Sequence, residues 1–299
     1  MNMKIYFRQG LISLFFIVSL SANSVFADAN LSQQGIFWQI EKPGLTPSYI
    51  FGSIHSDDPR VTELPSIVSD HFEQADSVSL ELIMDKRSLQ ESAKAMFITG
   101  NKTLDNLLGK ELFEQVVKAA SPYKIPAFVL KRIKPWAVIA ILSMPPKKKT
   151  GLFLDLLLYR EAKERNKRVY GLEKIQEQLY VFESFSLEEQ IVLLKDTLKN
   201  ADKMPEMFEK LHELYLEHDL TALMELGKTF VREDKENQAL GKAFYKRLIS
   251  DRNLIMVERM QKVLQEGNAF IAVGALHLPG EMGILKLLEK QGYRVMALY

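Results

Sequence analysis

The segment AFIAVGALH at residues 269–277 runs from an apolar stretch into Gly274 and, three residues later, His277. The segment SYIFGSIH at residues 48–55 has the same form, with Gly52 and His55 in the matching places. Short apolar runs that end at a glycine are typical of buried strands. We therefore predict that both Gly-x-x-His motifs leave a sheet at the carboxyl ends of strands, the edge where open α/β sheets bind ligands.

Strand-like and helix-like patterns are unevenly distributed around these two motifs. Residues 35–41 and 49–52 flank a turn-rich linker and predict a hairpin. Further strands are predicted at 77–82, 168–172 and 293–298, and helices at 65–72, 251–266 and 280–291. Most of the chain from 86 to 250 follows helical spacing, although Pro135 should kink or restart a helix there. The sequence predicts an α/β fold: a small mixed sheet with flanking helices, interrupted by a large, mainly helical insertion at about residues 86–250.

The first 27 residues have the features of a secretory signal peptide. Lys4 and Arg8 precede the apolar stretch 11–20, and small residues surround a cleavage position after Ala27. An apolar run of about ten residues is too short to cross a bilayer as a helix. We predict a signal peptide at 1–27 and a single domain at 28–299, with an uncleaved anchor as the alternative. The protein would then be periplasmic or secreted by a bacterium, with no stable membrane span after cleavage.

The composition excludes several classes of function. The 299 residues contain no cysteine, which excludes a disulfide framework, thiolate chemistry and a lipid-bearing cysteine. The formal net charge is +1, and loss of Lys4 and Arg8 with the signal peptide leaves −1 for the mature chain. A chain of this charge shows no basic footprint for nucleic acid, so we expect no nucleic-acid partner.

The two motif histidines are the first candidates for a functional site, and Glu81 is the next. An imidazole is either a metal ligand or a general base near neutral pH. Glu81 lies at the end of the predicted strand 77–82, on the face opposite Val78 and Leu80. A carboxylate beside two histidines suits a divalent transition metal or acid–base work on a water molecule. The alternatives are histidines that cap helices or pack in the core, and a solvated glutamate.

Two further candidates follow from similar positions. Glu173 comes directly after the predicted strand 168–172, with Gln178 one helical turn further on. Arg252 opens the helix that precedes the second motif, where an arginine can clamp a carboxylate or stabilise an oxyanion. Two acidic residues after the first motif could bind a metal or cap a turn. These are Asp57 and Asp58. The other three histidines, His71, His212 and His218, are interpreted as structural or exposed.

Established catalytic motifs are missing from the sequence. It contains no Gly-x-Ser-x-Gly elbow, His-Glu-x-x-His pair, phosphate-binding loop or dinucleotide glycine motif. Ser53 and Ser56 flank the first histidine, so a serine nucleophile stays open as an alternative, although the spacing does not favour it.

Together these segments resemble the TraB/GumN family, a family that includes the Tiki proteases. The resemblance covers the chain from about residue 35 to the C-terminus, and its most specific part is the block at 272–295. The segments that carry it are FGSIHSDD at 51–58, LEL at 80–82, KPW at 134–136, GLFLD at 151–155, VYGLEKIQEQL at 169–179, RN at 252–253 and AVGALHLPGEMGILKLLEKQGYRV at 272–295.

The resemblance implies a fold similar to that of erythromycin esterase and ChaN. It also implies a hydrolase, since the animal members are described as metal-dependent proteases that use manganese or cobalt. The matching positions in this sequence are His55, Glu81, Glu173, Arg252 and His277. Weaker family positions match Asp155, Gln178 and Asn253, which are expected to support the site.

The leading hypothesis is a secreted or periplasmic, metal-dependent, peptidase-like hydrolase. In it, His55, Glu81 and His277 bind a divalent transition metal, manganese or cobalt, that activates water. Glu173 acts as general base or further ligand, and Arg252 stabilises negative charge on a peptide or small-molecule substrate. One alternative is a metal-free, esterase-like hydrolase with a histidine base. The other is a non-catalytic protein that binds a small ligand, a peptide or haem. The sequence does not predict an oligomeric state.

Overall fold

The computed structural model describes residues 33–144, 151–232 and 237–299, so the predicted signal peptide at 1–27 lies outside the described residues. The strands are β1 (Phe37–Glu41), β2 (Ser48–Ser53), β3 (Ser77–Leu80), β4 (Arg168–Gly171), β5 (Ala269–Gly274) and β6 (Arg294–Ala297). They form one sheet in the order β4-β3-β5-β2-β1-β6. Strands β4, β3, β5 and β2 are parallel neighbours, whereas β1 is antiparallel to both β2 and β6. The predicted mixed sheet and the predicted hairpin are both confirmed.

The central strands explain why the two motifs meet. Residues 269–273 of β5 are fully buried, because a parallel strand between two neighbours is covered on both faces by packed elements. Strand β2 pairs with β5 in parallel, with Gly52 opposite Val273 and Ser53 opposite Gly274. Both Gly-x-x-His motifs therefore leave the sheet side by side at its carboxyl edge, as the apolar runs predict.

Helices cover the sheet and fill the long segment between β3 and β5. Before β4 they are α1 (Pro59–Thr62), α2 (Ser66–Gln74), α3 (Lys86–Ala95), α4 (Leu104–Leu108), α5 (Lys110–Ala119), α6 (Ala127–Leu130), α7 (Pro135–Leu142) and α8 (Leu154–Glu164). After β4 they are α9 (Ile175–Glu183), α10 (Leu187–Asn200), α11 (Met204–Leu216), α12 (Leu220–Arg232), α13 (Gln238–Tyr245), α14 (Asp251–Glu266) and α15 (Ile284–Lys290). A π-helical turn, Lys246–Ser250, joins α13 to α14, and the short helix Ala275–His277 follows β5.

Two buried apolar clusters stabilise these layers. The larger joins the sheet to helices on its faces, with Phe72 of α2 and Met256 of α14 fully or almost fully buried. The second lies among helices of the segment 86–250, where Trp136 stacks on Phe182 with ring centroids 5.4 Å apart. Strand β4 lies inside that segment and pairs with β3. The mainly helical segment is thus two helical stretches on either side of one sheet strand.

One predicted helix boundary agrees with the structure and another differs from it. Pro135 starts helix α7, where its missing N–H costs nothing because the first turn has no acceptor for it. The helix predicted from 280 begins only at Ile284, since Gly280–Gly283 form a tight turn. A Cβ at Gly283 would lie 2.3 Å from the carbonyl oxygens of Leu278 and Pro279, so this turn requires glycine. None of the described helices is both long and apolar enough to cross a membrane.

Candidate active site

The carboxyl edge of the sheet brings the five predicted site residues together. Strands β4, β3, β5 and β2 are neighbours in that order. The residues that follow them (Glu173, Glu81, His277 and His55) therefore occupy one edge in the same order. Arg252, in the first turn of α14, reaches into this row from a neighbouring helix.

His55 is held by a carboxylate from helix α8. Its Nδ1 lies 2.7 Å from Oδ2 of Asp155, and Oδ1 of Asp155 accepts a hydrogen bond from Ser53 Oγ at 2.7 Å. Burial disfavours the imidazolium, but the Asp155 carboxylate outweighs it and raises the pKa of His55 to about 9. The other ring nitrogen, Nε2, has no hydrogen-bond partner in the described part of the chain. His55 is thus a fixed, protonated imidazole with one N–H left for a ligand.

Glu81 is an ionised carboxylate that hydrogen bonds hold at both of its oxygens. Its Oε1 accepts from the backbone N–H of Gly274 at 2.6 Å, and its Oε2 from Nη2 of Arg252 at 2.7 Å. Burial alone would raise the pKa of Glu81, but the Arg252 guanidinium, the two motif histidines and the Gly274 N–H together outweigh it and lower that pKa to about 2. A Cβ at Gly274 would lie 3.2 Å from Oε1 of Glu81, so the glycine of the second motif allows this close approach.

Arg252 is buried and donates from every nitrogen of its guanidinium. Nε and Nη2 donate to Glu173, and Nη2 also donates to Glu81. Nη1 donates to the carbonyl of Leu248 in the π-helical turn at 3.2 Å and to His277 Nε2 at 3.1 Å. A guanidinium has five N–H groups, and an oxyanion would have to displace one of these buried acceptors. The arrangement favours a supporting role over the predicted stabilisation of a substrate anion.

Glu173 follows β4, and its carboxylate accepts hydrogen bonds from Arg252. Its carboxylate is almost fully buried and also accepts from Nε2 of Gln178 at 3.1 Å. Its backbone N–H donates to the carbonyl of Glu81 at 2.8 Å. Because Arg252 and Gln178 engage both of its oxygens, the geometry places Glu173 among the groups that hold Glu81.

His277 has the opposite charge preference from His55. Its Nδ1 lies 2.6 Å from Oδ1 of Asn253, and its Nε2 faces Arg252. Burial and the Arg252 charge lower the pKa of His277 to about 3. Both groups of the RN pair at 252–253 therefore bind the second motif.

A small cavity of about 20 Å³ opens between the first motif and β3. A space of at least about 10–15 Å³ holds one water molecule. The residues that line it are His55, Leu80, Glu81, Leu82, Met84, Asp155 and Gln178. Of the five predicted site residues, only His55 and Glu81 reach it.

Helix α11 supports the first motif through contacts that the sequence did not suggest. Three pairs join it to the segment from β2 to α1: Tyr215 Oη with Gly52 O at 2.8 Å, His212 Nε2 with Ser56 Oγ at 2.8 Å, and Arg60 Nη1 with Glu209 Oε1 at 2.7 Å. His212, interpreted from sequence as structural or exposed, is buried here. The three-residue spacing of 209, 212 and 215 places them on one helix face, and it is the signal that could have found them. Asp58 caps helix α1 by accepting from the N–H of Arg60, as its capping alternative predicts.

The predicted three-residue metal site does not fit this arrangement of side chains. Coordination by His277 would use the Nε2 lone pair, which already accepts from the cation Arg252 at 3.1 Å. In residues 33–144, 151–232 and 237–299, no group of three or more His, Cys, Asp or Glu is placed to hold a metal ion. The assignment of His55, Glu81 and His277 as ligands stays a prediction.

The sequence comparisons decide the family. Residues 36–297 match the sequence profile of the TraB/PrgY/gumN family. The chain belongs to this family. The TraB/PrgY/gumN match extends from β1 to the end of β6, so it includes every strand and every site residue described above.

The curated relatives that match this TraB/PrgY/gumN protein share little sequence identity with it. It is 23% identical to the protein named metalloprotease TIKI1 of Xenopus tropicalis, over 92% of this chain and 64% of that protein. It is 22% identical to metalloprotease TIKI2 of Danio rerio, over 86% of this chain and 60% of that protein. It is also 22% identical to the uncharacterized protein YbaP of Shigella flexneri, over 84% of this chain and 90% of that protein. The chain thus spans under two thirds of the length of the TIKI relatives. No solved structure matches it.

Proposed function

We propose that the protein is a hydrolase whose attacking water lies in the cavity lined by His55 and Glu81. The observation that carries the proposal is this cavity, which has room for one water molecule beside a carboxylate and an imidazole. Glu81 takes a proton from the water molecule while the water oxygen forms a bond to the carbonyl carbon of the substrate. His55, with its free Nε2–H, gives a proton to the leaving group as the bond to that carbon breaks.

The remaining polar residues keep these two groups in place. Asp155 holds the orientation and charge of His55 through the contact at Nδ1. Arg252 and the Gly274 N–H hold Glu81. This assignment departs from the sequence hypothesis, in which Glu173 was a base and Arg252 an oxyanion donor, because neither of these side chains lines the cavity.

Peptide bonds are the first substrate candidate, because the two TIKI relatives are named metalloproteases. Esters and other small acyl compounds are the second. The features of residues 1–27 support action in the periplasm or outside the cell. Dependence on a divalent metal, of which manganese and cobalt are the first candidates from the family resemblance, is the competing mechanism. The word metalloprotease in the relatives' names supports metal dependence, and the position of Arg252 opposes it.

The test is an assay of the purified protein on peptide and ester panels, with metal analysis and with activity measured in EDTA. We expect Glu81→Gln and His55→Gln each to lower kcat by about 100-fold or more, whereas the surface variant Glu209→Gln is a matched control. Activity should survive EDTA. Loss of activity in EDTA with recovery on Mn²⁺ or Co²⁺ would establish the metal-dependent mechanism instead. Absence of hydrolysis on every panel would favour a binding protein.

A further inference from the structure

The two Gly-x-x-His motifs have the same sequence form but different partners at the imidazole. Nδ1 of His55 faces a carboxylate, Asp155, at 2.7 Å. Nδ1 of His277 faces a side-chain amide, Asn253, at 2.6 Å. A carboxylate favours an imidazolium, whereas an amide oxygen accepts one hydrogen bond without adding charge.

Hydrogen bonds around Asn253 determine which nitrogen of His277 carries the proton. The amide Nδ2 of Asn253 donates to two backbone carbonyls, those of His277 and Met282, at 3.2 and 2.6 Å. Its Oδ1 is therefore the atom that faces His277, and an oxygen only accepts, so Nδ1 of His277 bears the hydrogen. In a neutral imidazole the other nitrogen, Nε2, then has a lone pair. That lone pair accepts from Arg252 Nη1 at 3.1 Å.

We infer that His277 is a neutral hydrogen-bond acceptor that positions Arg252, and through it Glu81, and that it is neither a metal ligand nor a base. The contacts form one chain from Asn253 through His277 and Arg252 to Glu81. A divalent ion on Nε2 would have to share a site with a buried guanidinium that two carboxylates hold in place. The second motif thus orients Glu81 through Arg252, while the first motif supplies His55, which lines the cavity. The link to catalysis rests on the proposed function, whereas the protonation pattern does not.

The direct test is NMR of the full-length protein labelled with ¹⁵N-histidine. At neutral pH we expect the imidazole signal that is missing in His277→Gln to show a proton on Nδ1 and none on Nε2; His71, whose Nδ1 faces the carbonyl of Ile67, has the same tautomer when neutral and is told apart by this comparison. Addition of Mn²⁺ or Co²⁺ should leave the tautomer unchanged. An Nε2–H tautomer, an imidazolium, or displacement of the Arg252 contact by a metal bound at Nε2 would overturn the inference. This readout needs no substrate, so it stands even where the proposed hydrolysis fails.

A pair of variants tests the positioning role. Gln at 277 places an amide oxygen near the Nε2 position and can still accept from Arg252, whereas Leu fills the space without an acceptor. We expect His277→Gln to retain at least about tenfold more activity than His277→Leu, with the KM less affected than kcat. His277→Leu should also lower the Tm by about 4 °C or more, since it leaves a buried charged donor unpaired. Equal inactivity of two well-folded variants would indicate that the imidazole itself acts on the ligand.

Discussion

The imidazoles of His55 and His277 lie at neighbouring strand ends, yet their partners give them opposite charges. Asp155 raises the pKa of His55 against the effect of burial, and Arg252 adds to burial in lowering that of His277. An imidazolium with a free N–H suits proton donation to a leaving group. A neutral imidazole suits a hydrogen bond from a guanidinium. Both Nδ1 atoms face an oxygen, so the two roles are separated by the negative charge of the Asp155 carboxylate beside His55 and by the positive charge of Arg252 beside His277.

Asp155→Asn tests this reasoning at His55. The amide keeps the shape of the carboxylate but removes its charge, so the pKa of His55 should fall to its ordinary value or below, because burial persists. Turnover at neutral pH should decrease by about 10- to 100-fold. A ¹⁵N NMR titration of His55 and a kinetic assay measure both effects.

Ser53→Ala is the matched comparison, since it removes only the second hydrogen bond of Asp155 and keeps the negative charge. His55 should then keep a raised pKa. An unchanged pKa of His55 in Asp155→Asn would show that the carboxylate does not set its charge.

Helix α11 and the segment from β2 to α1 meet through three polar pairs in a row. The buried pair Tyr215–Gly52 and the part-buried pair His212–Ser56 lie on either side of His55 in the sequence, and the exposed pair Arg60–Glu209 ends the row at the surface. Loops after strands carry few hydrogen bonds of their own, so contacts of this kind fix where a loop residue lies. The helical segment therefore contributes to the geometry of a motif from which it is distant in sequence.

His212→Leu should loosen the first motif. It removes one of the two hydrogen bonds of Ser56 Oγ, which still accepts from the N–H of Asp58, at a part-buried place. This costs about 1–1.5 kcal/mol of unfolding free energy, and kcat should decrease with it. Glu209→Gln, on the same helix face but solvent-exposed, should change stability by less than about 1 kcal/mol. Denaturant unfolding and kinetics measure both variants. Equal, small effects of the two substitutions would contradict a supporting role for the His212–Ser56 pair.

The shifted pKa values of the site residues make the unfolding free energy of the whole molecule depend on pH. Above pH 6.5, an unfolded histidine is neutral while His55 stays protonated up to about 9, so unfolding releases a proton and stability falls as the pH rises. Below pH 6.5, the histidine of the unfolded chain binds a proton, whereas His277 in the folded protein stays neutral down to about pH 3. Stability therefore falls as the pH decreases. Glu81, with its pKa near 2, adds to the acid side below about pH 4.5.

We therefore expect the unfolding free energy to peak near pH 6.5. The alkaline decrease due to His55 should be on the order of 3 kcal/mol between pH 6.5 and 9. His55→Gln should flatten the alkaline side of the curve and His277→Gln the acid side. Urea unfolding from pH 4 to pH 9 provides the measurement. A curve that keeps its alkaline decrease in His55→Gln would assign that decrease to other groups.

The sequence by itself determined the sheet and the row of residues along its edge. The apolar runs before Gly52 and Gly274 predicted buried strands, and the parallel pairing of these strands and β3 brings their carboxyl ends to one edge, so His55, His277 and Glu81 lie near each other. Burial and strand periodicity are properties of a few consecutive residues, which is why a local pattern predicts them. The position of α7 at Pro135 followed from the same kind of local constraint.

Only the tertiary structure decided what each of these residues can do. The partner of His55 is 100 residues away in the sequence, and Arg252 reaches Glu81 across 171 residues. Hydrogen bonds of about 3 Å decide whether a guanidinium, a water molecule or a metal ion lies between two side chains of the site. The spacing of residues along the sequence does not predict the length and direction of these bonds. The side-chain amide of Asn253 and the carboxylate of Asp155 differ by one atom. Their placement against two similar imidazoles sets the charges at this site, because electrostatic energy depends on distance in space and not along the chain.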